Sequence, residues 1–190
     1  MLNDISFLSR IGILLIVCTQ LMQARTTAAQ ETQLSEGFAM VMLPPAATVE
    51  IDENEAQAVN DFFHHAEYAI QSENIDSLMV LYSDKYTNSK NGDKNFATEI
   101  WNKIFARFDN VSSRHSMRLI EYDKTAGTAI TECSGLLFGT PAGGTGLVVI
   151  DRWNNEHHIM IKEGQWKLLG TTGETALRYG EKDALLHPLF

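Results

Sequence analysis

The spacing of apolar residues changes near residue 110, and this change limits the folds that the chain can adopt. Before it, apolar side chains recur at intervals of three and four, as in Val59, Phe63, Ala66 and Ile70, which is the spacing of an amphipathic helix. After it, the chain is rich in β-branched and aromatic residues and is divided by turn signals. This order predicts an α+β fold in which N-terminal helices pack on one face of an antiparallel sheet.

The same patterns place the individual elements. A first helix is predicted from the acidic residues at Asp52 to about residue 71, with further helices in 74–86 and 95–109. Strands are predicted in 112–123, 127–140, 146–153 and 157–170. The tail after residue 170 is predicted to form a short helix that covers one edge or mouth of the sheet.

The first 29 residues have the pattern of a secretory signal peptide. Arg10 precedes the apolar run ILLIVCTQLM, which is shorter than the roughly 20 apolar residues of a transmembrane helix. Small residues suit cleavage after Ala29, while cuts after Ala24 or Ala28 and an uncleaved N-terminal anchor stay open as alternatives. We therefore expect a secreted or periplasmic protein that leaves the membrane after cleavage.

The overall charge limits the kinds of partner that the chain can bind. The chain carries a net charge of −9 with a pI of about 5.1 and has no cluster of lysine and arginine. Nucleic acids and anionic membrane surfaces would repel it, so we exclude both as partners. Removal of the N-terminal segment would also remove Cys18 and leave Cys133 alone, so we expect a core without an intramolecular disulfide.

A first pair of adjacent histidines lies in the first predicted helix. His64 falls on the polar side of that helix and is predicted to be solvated. His65 lies nearer the margin of the apolar face, where it could reach the rim of a pocket and contact a ligand. The alternative is that His65 is only a boundary residue between the two faces.

A second pair, His157 and His158, lies in the β-rich half. In an uninterrupted strand Asp151, Trp153 and His157 share one face, which we place toward the interior. A buried aspartate beside a histidine is suited to general acid–base catalysis, because burial and mutual charge move both pKa values toward neutrality. A bulge at Asn154-Asn155 would instead turn His158 inward, and an Asp–Arg surface pair with an edge-strand histidine is the non-catalytic alternative.

Other chemistries find less support in the sequence. No His-x-x-x-His or paired-cysteine motif is present, so we predict no metal site and no cofactor. Cys133 lies in a β pattern and is predicted to be a buried, unreactive thiol. The glycine-rich stretch 139–146 precedes no helix and is predicted to be a hairpin loop rather than a phosphate site. Tyr82 and Trp101 could contact a ligand at the mouth of a pocket.

Three stretches together resemble the NTF2-like superfamily, which includes the SnoaL-like proteins. The family's run of helix, polar joint, second helix and tyrosine is similar to the stretch IQSENIDSLMVLYSDKYTNS. Its strand–turn–strand hairpin is similar to IEYDKTAGTAITECSG, and its closing hairpin is similar to IKEGQWKLLG. The resemblance covers about residues 54 to 170 and implies a cone, in which helices pack on a strongly curved antiparallel sheet. It divides the chain into a signal peptide (1–29), a linker or N-terminal arm (30–52), an NTF2-like domain (53–170) and a C-terminal extension (171–190).

The resemblance implies a pocket but not one activity, since the superfamily contains isomerases, dehydratases, cyclases, epoxide hydrolases, ligand carriers and dimerisation modules. The leading hypothesis is an exported protein that binds a small, mostly apolar ligand. One alternative is an isomerase or hydro-lyase that uses Asp151 and His157 as an acid–base pair, and another is a dimerisation or interaction module. Four residues are the predicted ligand contacts: His65, Tyr82, Trp101 and Trp153. Ketosteroid isomerases and dehydratases use tyrosine with acidic residues or histidine, but no local motif here matches theirs.

Overall fold

The structure is a computed structural model that describes residues 40–173. The predicted signal peptide and the predicted C-terminal helix lie outside these residues. The described elements, numbered along the chain, are β1 (Val41–Met42), α1 (Glu53–Gln71), α2 (Ile75–Val80), β2 (Tyr82–Thr87), α3 (Lys94–Arg107), β3 (Phe108–Asp123), β4 (Thr128–Pro141), β5 (Val148–Glu163) and β6 (Gln165–Thr172). Among the described helices, none is both long and apolar enough to cross a membrane.

Each of the three described helices begins at a polar side chain that caps it. Asp52 accepts a hydrogen bond from the backbone N–H of Glu55 at 3.0 Å and caps α1. Asn74 caps α2 and Asp93 caps α3 in the same way. Such caps satisfy a backbone donor that would otherwise lack a partner, and each stabilises its helix by about 1 kcal/mol.

The second predicted helix is shorter than its apolar spacing suggested. α2 ends at Val80, and residues 82–87 form strand β2, so the prediction of a helix through residue 86 is wrong. The backbone explains the difference, since Leu168 N–H donates to the carbonyl of Leu81 at 2.8 Å and Tyr82 pairs with Leu168. Pairing with β6 therefore outweighs the local helical preference.

The six strands of residues 40–173 form one mixed sheet in the order β1-β3-β4-β5-β6-β2. The central strands β3, β4, β5 and β6 are antiparallel, as the sequence predicted. The two edge strands differ, because β1 runs parallel to β3 and β2 runs parallel to β6. The long central hairpins fix which side chains share a face, and α1 packs against β3 and β6.

Strand β5 is continuous but contains a bulge at Asn155. Cys133 pairs with Glu156 whereas Gly135 pairs with Trp153, so Ser134 faces two residues of β5 instead of one. Asn155 has a φ of 54°, and its backbone N–H donates to the Ser134 hydroxyl at 2.9 Å. An extra residue reverses the alternation of side chains beyond it. The bulge therefore determines which histidine of the second pair, His157 or His158, faces the interior.

The core lies between α1, α3 and the sheet. Phe63, Ile70, Leu78, Trp101 and Ile104 are fully buried there. Burial of a large apolar side chain stabilises the fold by about 1.5–3 kcal/mol. Polar residues share this interior, and they form the candidate site.

Candidate active site

The strands β3, β4 and β5 present an inner face, which we define as the side that packs against α1. Its residues fall into rows across the three strands, as the pairing register shows. The rows are Ser113–Leu137–Asp151, His115–Gly135–Trp153, Met117–Cys133–Glu156 and Leu119–Thr131–His158. Apart from half-buried Gly135, all of these residues are buried, so an unusual number of ionisable side chains lies in one interior.

Glu67 of α1 reaches down to this face and forms a dyad with His115. The Nε2 atom of His115 lies 2.7 Å from Oε1 of Glu67, within hydrogen-bonding distance. The Ser113 hydroxyl donates to the same oxygen at 3.3 Å. The His115 side chain is 1% exposed and that of Glu67 is 12% exposed, so the pair is shielded from water and its hydrogen bond is strong.

Two further inner-face residues continue this network. Nδ1 of His115 lies 3.5 Å from the Cys133 sulfur, and the Trp153 indole N–H donates to that sulfur at 3.0 Å. Burial raises the pKa of the Cys133 thiol to about 12, so it stays protonated at neutral pH and is a poor nucleophile. The network therefore joins α1 to β3, β4 and β5.

Asp151 lies in the same row as Ser113, with Leu137 between them. Burial raises the pKa of Asp151 to about 7, although a hydrogen bond from the Arg152 backbone N–H opposes the shift. At neutral pH this carboxyl is therefore present in both protonated and ionised forms, which is the condition for either donating or accepting a proton. Since neighbouring strands are roughly 4.8 Å apart, Asp151 and Ser113 are about 10 Å apart.

A second histidine and carboxylate face inward beyond the bulge. His158 Nε2 and Glu156 Oε1 are 3.9 Å apart, and both side chains are almost completely buried. The His158 ring also lies 5.8 Å from that of Phe63. Glu156 contributes to the raised pKa of Cys133, so the His158–Glu156 pair interacts electrostatically with the network that contains Cys133.

His157 does not face the interior, so its predicted inward orientation is wrong. The bulge at Asn155 turns it to the outer face, where its Nε2 lies 3.9 Å from Oε2 of Glu132 and both side chains are well exposed. The structure thus matches the alternative register, in which His158 faces inward. Asp151 and Trp153 precede the bulge and are buried, as the sequence predicted.

Three predicted ligand contacts lie elsewhere than expected. His65 is exposed on the outer side of α1 and not at the rim of the inner face. Tyr82 and Trp101 are in the core rather than at a mouth, and the Trp101 indole N–H donates to the Tyr82 hydroxyl at 3.1 Å. Burial, with the neighbouring Tyr86, raises the pKa of Tyr82 well above its usual value, so its hydroxyl stays protonated.

Three residues of the inner face were not among the predicted site residues: Glu67, His115 and Glu156. Glu67 follows Phe63 by four residues and precedes Ile70 by three, so a carboxylate occupied the apolar stripe of α1. His115 alternates with Ser113, Met117 and Leu119, which places it on the inner face of a strand. The apolar patterns around Glu67 and His115 therefore signalled that both residues face the interior. Glu156 faces the interior only because of the bulge, so simple alternation gave no signal for it.

A separate groove of about 660 Å³ lies at the tip of the β3–β4 hairpin beside the arm. It is lined by Thr48, Val49, Glu50, Ile120, Glu121, Tyr122, Asp123, Lys124, Thr128, Ala129, Ile130 and Ile159. None of the ionisable inner-face residues lines it, so we locate the candidate site by its chemistry rather than by this groove. Within residues 40–173, no three His, Cys, Asp or Glu side chains are arranged to hold a metal ion.

No family profile and no curated protein sequence matches the chain. Solved structures do match, among them a candidate aromatic ring hydroxylase from Novosphingobium aromaticivorans, with a TM-score of 0.53, 15% identity and coverage of 64% of this chain and 89% of that one. A candidate scytalone dehydratase from the same organism has a TM-score of 0.53, 14% identity and coverage of 62% and 81%. A hexachlorocyclohexane dehydrochlorinase (LinA) type 2 has a TM-score of 0.51, 15% identity and coverage of 66% and 86%.

At these identities the similarity shows a shared fold. The described part of the chain has the NTF2-like fold, in which helices pack on a curved sheet, and the predicted fold class is confirmed. The activity has to be argued from the inner face itself.

Proposed function

We propose that the protein is an enzyme of the isomerase or lyase type, which moves protons on a small organic molecule bound against the inner face. The observation that carries this proposal is the Glu67–His115 dyad, joined at 2.7 Å in an interior that also contains Asp151. A partly buried carboxylate held by Ser113 and His115 is positioned to act on a ligand. Asp151, with its pKa raised to about 7 by burial, supplies the complementary acid.

In the proposed reaction one carboxyl group accepts a proton and the other donates one. The dyad takes a proton from a carbon atom of the substrate, and the electron pair of the broken C–H bond forms a new double bond. Asp151 donates its proton to the substrate oxygen that gains charge, either a carbonyl that becomes an enol or a hydroxyl that leaves as water. The span of about 10 Å across three strands suits a substrate of one or two rings.

A carrier of an apolar ligand is the competing hypothesis, and the polarity of the interior argues against it. Burial of Asp151 and Glu156 and partial burial of Glu67 lower the stability of the fold, and an apolar ligand would gain nothing from these groups. Ionisable groups that face one interior are instead the arrangement that proton transfer requires. Two of the structural neighbours also carry the names of a dehydratase and a dehydrochlorinase, and both names denote eliminations.

The test begins with native mass spectrometry of gently purified protein, which detects and identifies any retained molecule. That molecule and a panel of cyclic ketones and hydroxyketones are then incubated with the protein in D₂O, and deuterium incorporation or loss of water is followed by NMR. We expect turnover by the wild type and its loss in Glu67→Gln and Asp151→Asn, while His157→Gln on the outer face is the matched control. Retention of a ligand without exchange or turnover would favour the carrier, and a dimer with nothing bound would favour the interaction module.

We also propose that the protein acts outside the cytoplasm. The support is the positive charge, apolar run and small residues of the first 29 positions. Mass spectrometry of the exported protein should find a new N-terminus after Ala24, Ala28 or Ala29. A chain that stays in the membrane fraction with Met1 present would show an uncleaved anchor instead.

A further inference from the structure

We infer that Cys133 and Trp153 are positioning residues that hold His115 as its Nε2–H tautomer, and that Glu67 rather than His115 is therefore the base. The assignment of the base rests on the proposed function, whereas the tautomer can be measured without any substrate.

The direction is fixed at Trp153. An indole N–H can only donate, so the Cys133 sulfur, 3.0 Å away, accepts from it. The thiol keeps its own hydrogen at neutral pH, because burial raises the pKa of Cys133 to about 12. Nδ1 of His115 lies 3.5 Å from the sulfur, within reach of that hydrogen.

The hydrogen from Cys133 determines the state of the His115 ring. If Nδ1 accepts from the thiol, the ring hydrogen of a neutral imidazole must be on Nε2. Nε2 then donates to Glu67 at 2.7 Å, which the carboxylate requires because it can only accept. Both ring nitrogens of His115 thus have protein partners, and the side chain is 1% exposed, so the ring offers no lone pair to a substrate.

The remaining basic atom of the network is Oε2 of Glu67. Oε1 accepts from His115 and from Ser113, whereas no described residue donates a hydrogen bond to Oε2. Glu67 also has the most accessible side chain of the network at 12% exposure. In the proposed reaction the substrate C–H bond therefore breaks toward Oε2, while His115 and Ser113 stabilise the carboxylate from behind.

The tautomer is tested by ¹⁵N NMR of the full chain with labelled histidine, at neutral pH and without substrate. The His115 signals are identified as those missing from His115→Gln. We expect a protonated Nε2 and an unprotonated Nδ1, which have well-separated ¹⁵N shifts. A ring protonated on Nδ1 alone, or on both nitrogens, would overturn the inference.

A pair of variants tests the role of Cys133. Cys133→Ser keeps a group that both accepts and donates, so the His115 signals should stay as in the wild type. Cys133→Ala removes the donor to Nδ1, and we expect Nδ1 to gain a proton beside the Glu67 carboxylate. Unchanged His115 signals in Cys133→Ala would show that Cys133 does not position the ring. The wild-type spectrum tests the tautomer even if this variant does not fold.

The rates at which substrate protons exchange distinguish the base, Glu67, from the residue that positions it, His115. Glu67→Gln removes the base and should lower the rate by about 10³-fold. His115→Gln keeps an N–H that can donate to Glu67 and should lower the rate by only about 10-fold. Equal losses in both variants would overturn the assignment of the base. If the wild type exchanges no substrate proton, the proposed function fails, and with it the assignment of the base, whereas the tautomer is still decided by the spectrum.

Discussion

Histidine–carboxylate pairs lie on both faces of the sheet, and one pair from each face shows how sharply their environments differ. On the inner face, His115 and Glu67 are 2.7 Å apart with side chains 1% and 12% exposed. On the outer face, His157 and Glu132 are 3.9 Å apart with side chains 41% and 38% exposed. The same two residue types thus form a shielded hydrogen bond in one place and a loose surface contact in the other.

Burial, rather than residue type, therefore decides what such a pair can do. Water screens the outer pair, and exposed pairs of this kind contribute about 0–1 kcal/mol to stability. Inside, the effective dielectric is lower, so the hydrogen bond is stronger and the loss of either partner leaves a buried polar group without compensation. Four predictions test this contrast.

The largest effect is expected at Asp151. Its folded pKa is about 7 against a usual value of 3.8, so between about pH 4 and pH 7 the folded state keeps a proton that the unfolded state has released. The free energy of unfolding therefore falls as pH rises through this window, by about 4 kcal/mol in total, and levels off above pH 7. Asp151→Asn should lack this loss and be more stable than the wild type at pH 8.

Urea unfolding of both proteins from pH 3.5 to pH 8 measures this difference. The exposed Asp109 offers a control, since Asp109→Asn should leave the pH dependence of the wild type unchanged. A gap between wild type and Asp151→Asn that is constant across the pH range would contradict the expectation.

Truncation of the two carboxylates tests the contrast directly. Glu67→Ala leaves the buried His115 N–H and Ser113 hydroxyl without their acceptor and should lower the free energy of unfolding by about 3 kcal/mol. Glu132→Ala on the outer face should change it by less than about 0.5 kcal/mol. Equal values from urea unfolding of the two variants would show that the inner pair gains nothing from burial.

Gly135→Ala tests the packing beneath the inner pair. A Cβ on Gly135 would lie 2.5 Å from Cβ of His115, 2.7 Å from the Arg114 carbonyl oxygen and 2.7 Å from Cζ2 of Trp153, so both side chains and the local backbone must move. We expect a loss of about 2 kcal/mol and displaced ring signals of His115 and Trp153 in NMR spectra. Ser116→Ala, a neighbouring position on the outer face of β3, is the control and should change neither quantity appreciably.

The smallest effect concerns the bulge that assigns the two histidines to opposite faces. Asn155 has a φ of 54°, which asparagine tolerates and a β-branched residue does not. Asn155→Val should therefore lower the free energy of unfolding by about 1 kcal/mol, whereas Asn155→Gly should change it by only a few tenths. Thermal unfolding of the two variants makes the measurement, and a valine variant as stable as the glycine variant would argue against a strained bulge.

Much of the fold was predictable because its signals are local. The apolar stripe from Val59 to Ile70 defines α1, and Asp52 marks its beginning. The strands were recognisable from β-branched residues and from turn signals such as Gly164, whose φ is 81°. The start of β2 was not recognisable, because it depends on pairing with β6, which is almost 90 residues away along the chain.

The candidate site was predictable only in part. Asp151 and Trp153 precede the bulge, so simple alternation placed both on the inner face. His157 follows the bulge, where the unusual backbone conformation of Asn155 turns His157 to the outer face and His158 to the inner face. The pairing of Glu67 with His115 joins a helix to a strand 48 residues later, and the spacing of residues along one chain carries no information about such a contact.

The N-terminal arm has a consequence for the shortest fragment that can be handled in solution. β1 pairs with β3, and backbone N–H groups of Leu43 and Ala46 donate to the carbonyls of Met117 and Leu119 at 2.7 and 2.9 Å. Without the arm, this side of a 16-residue strand would present unpaired backbone groups, which are a template for joining other chains edge to edge. A fragment trimmed to begin at α1 would expose this edge of β3 and would tend to aggregate through it, so residues 41–46 protect the strand from edge-to-edge association.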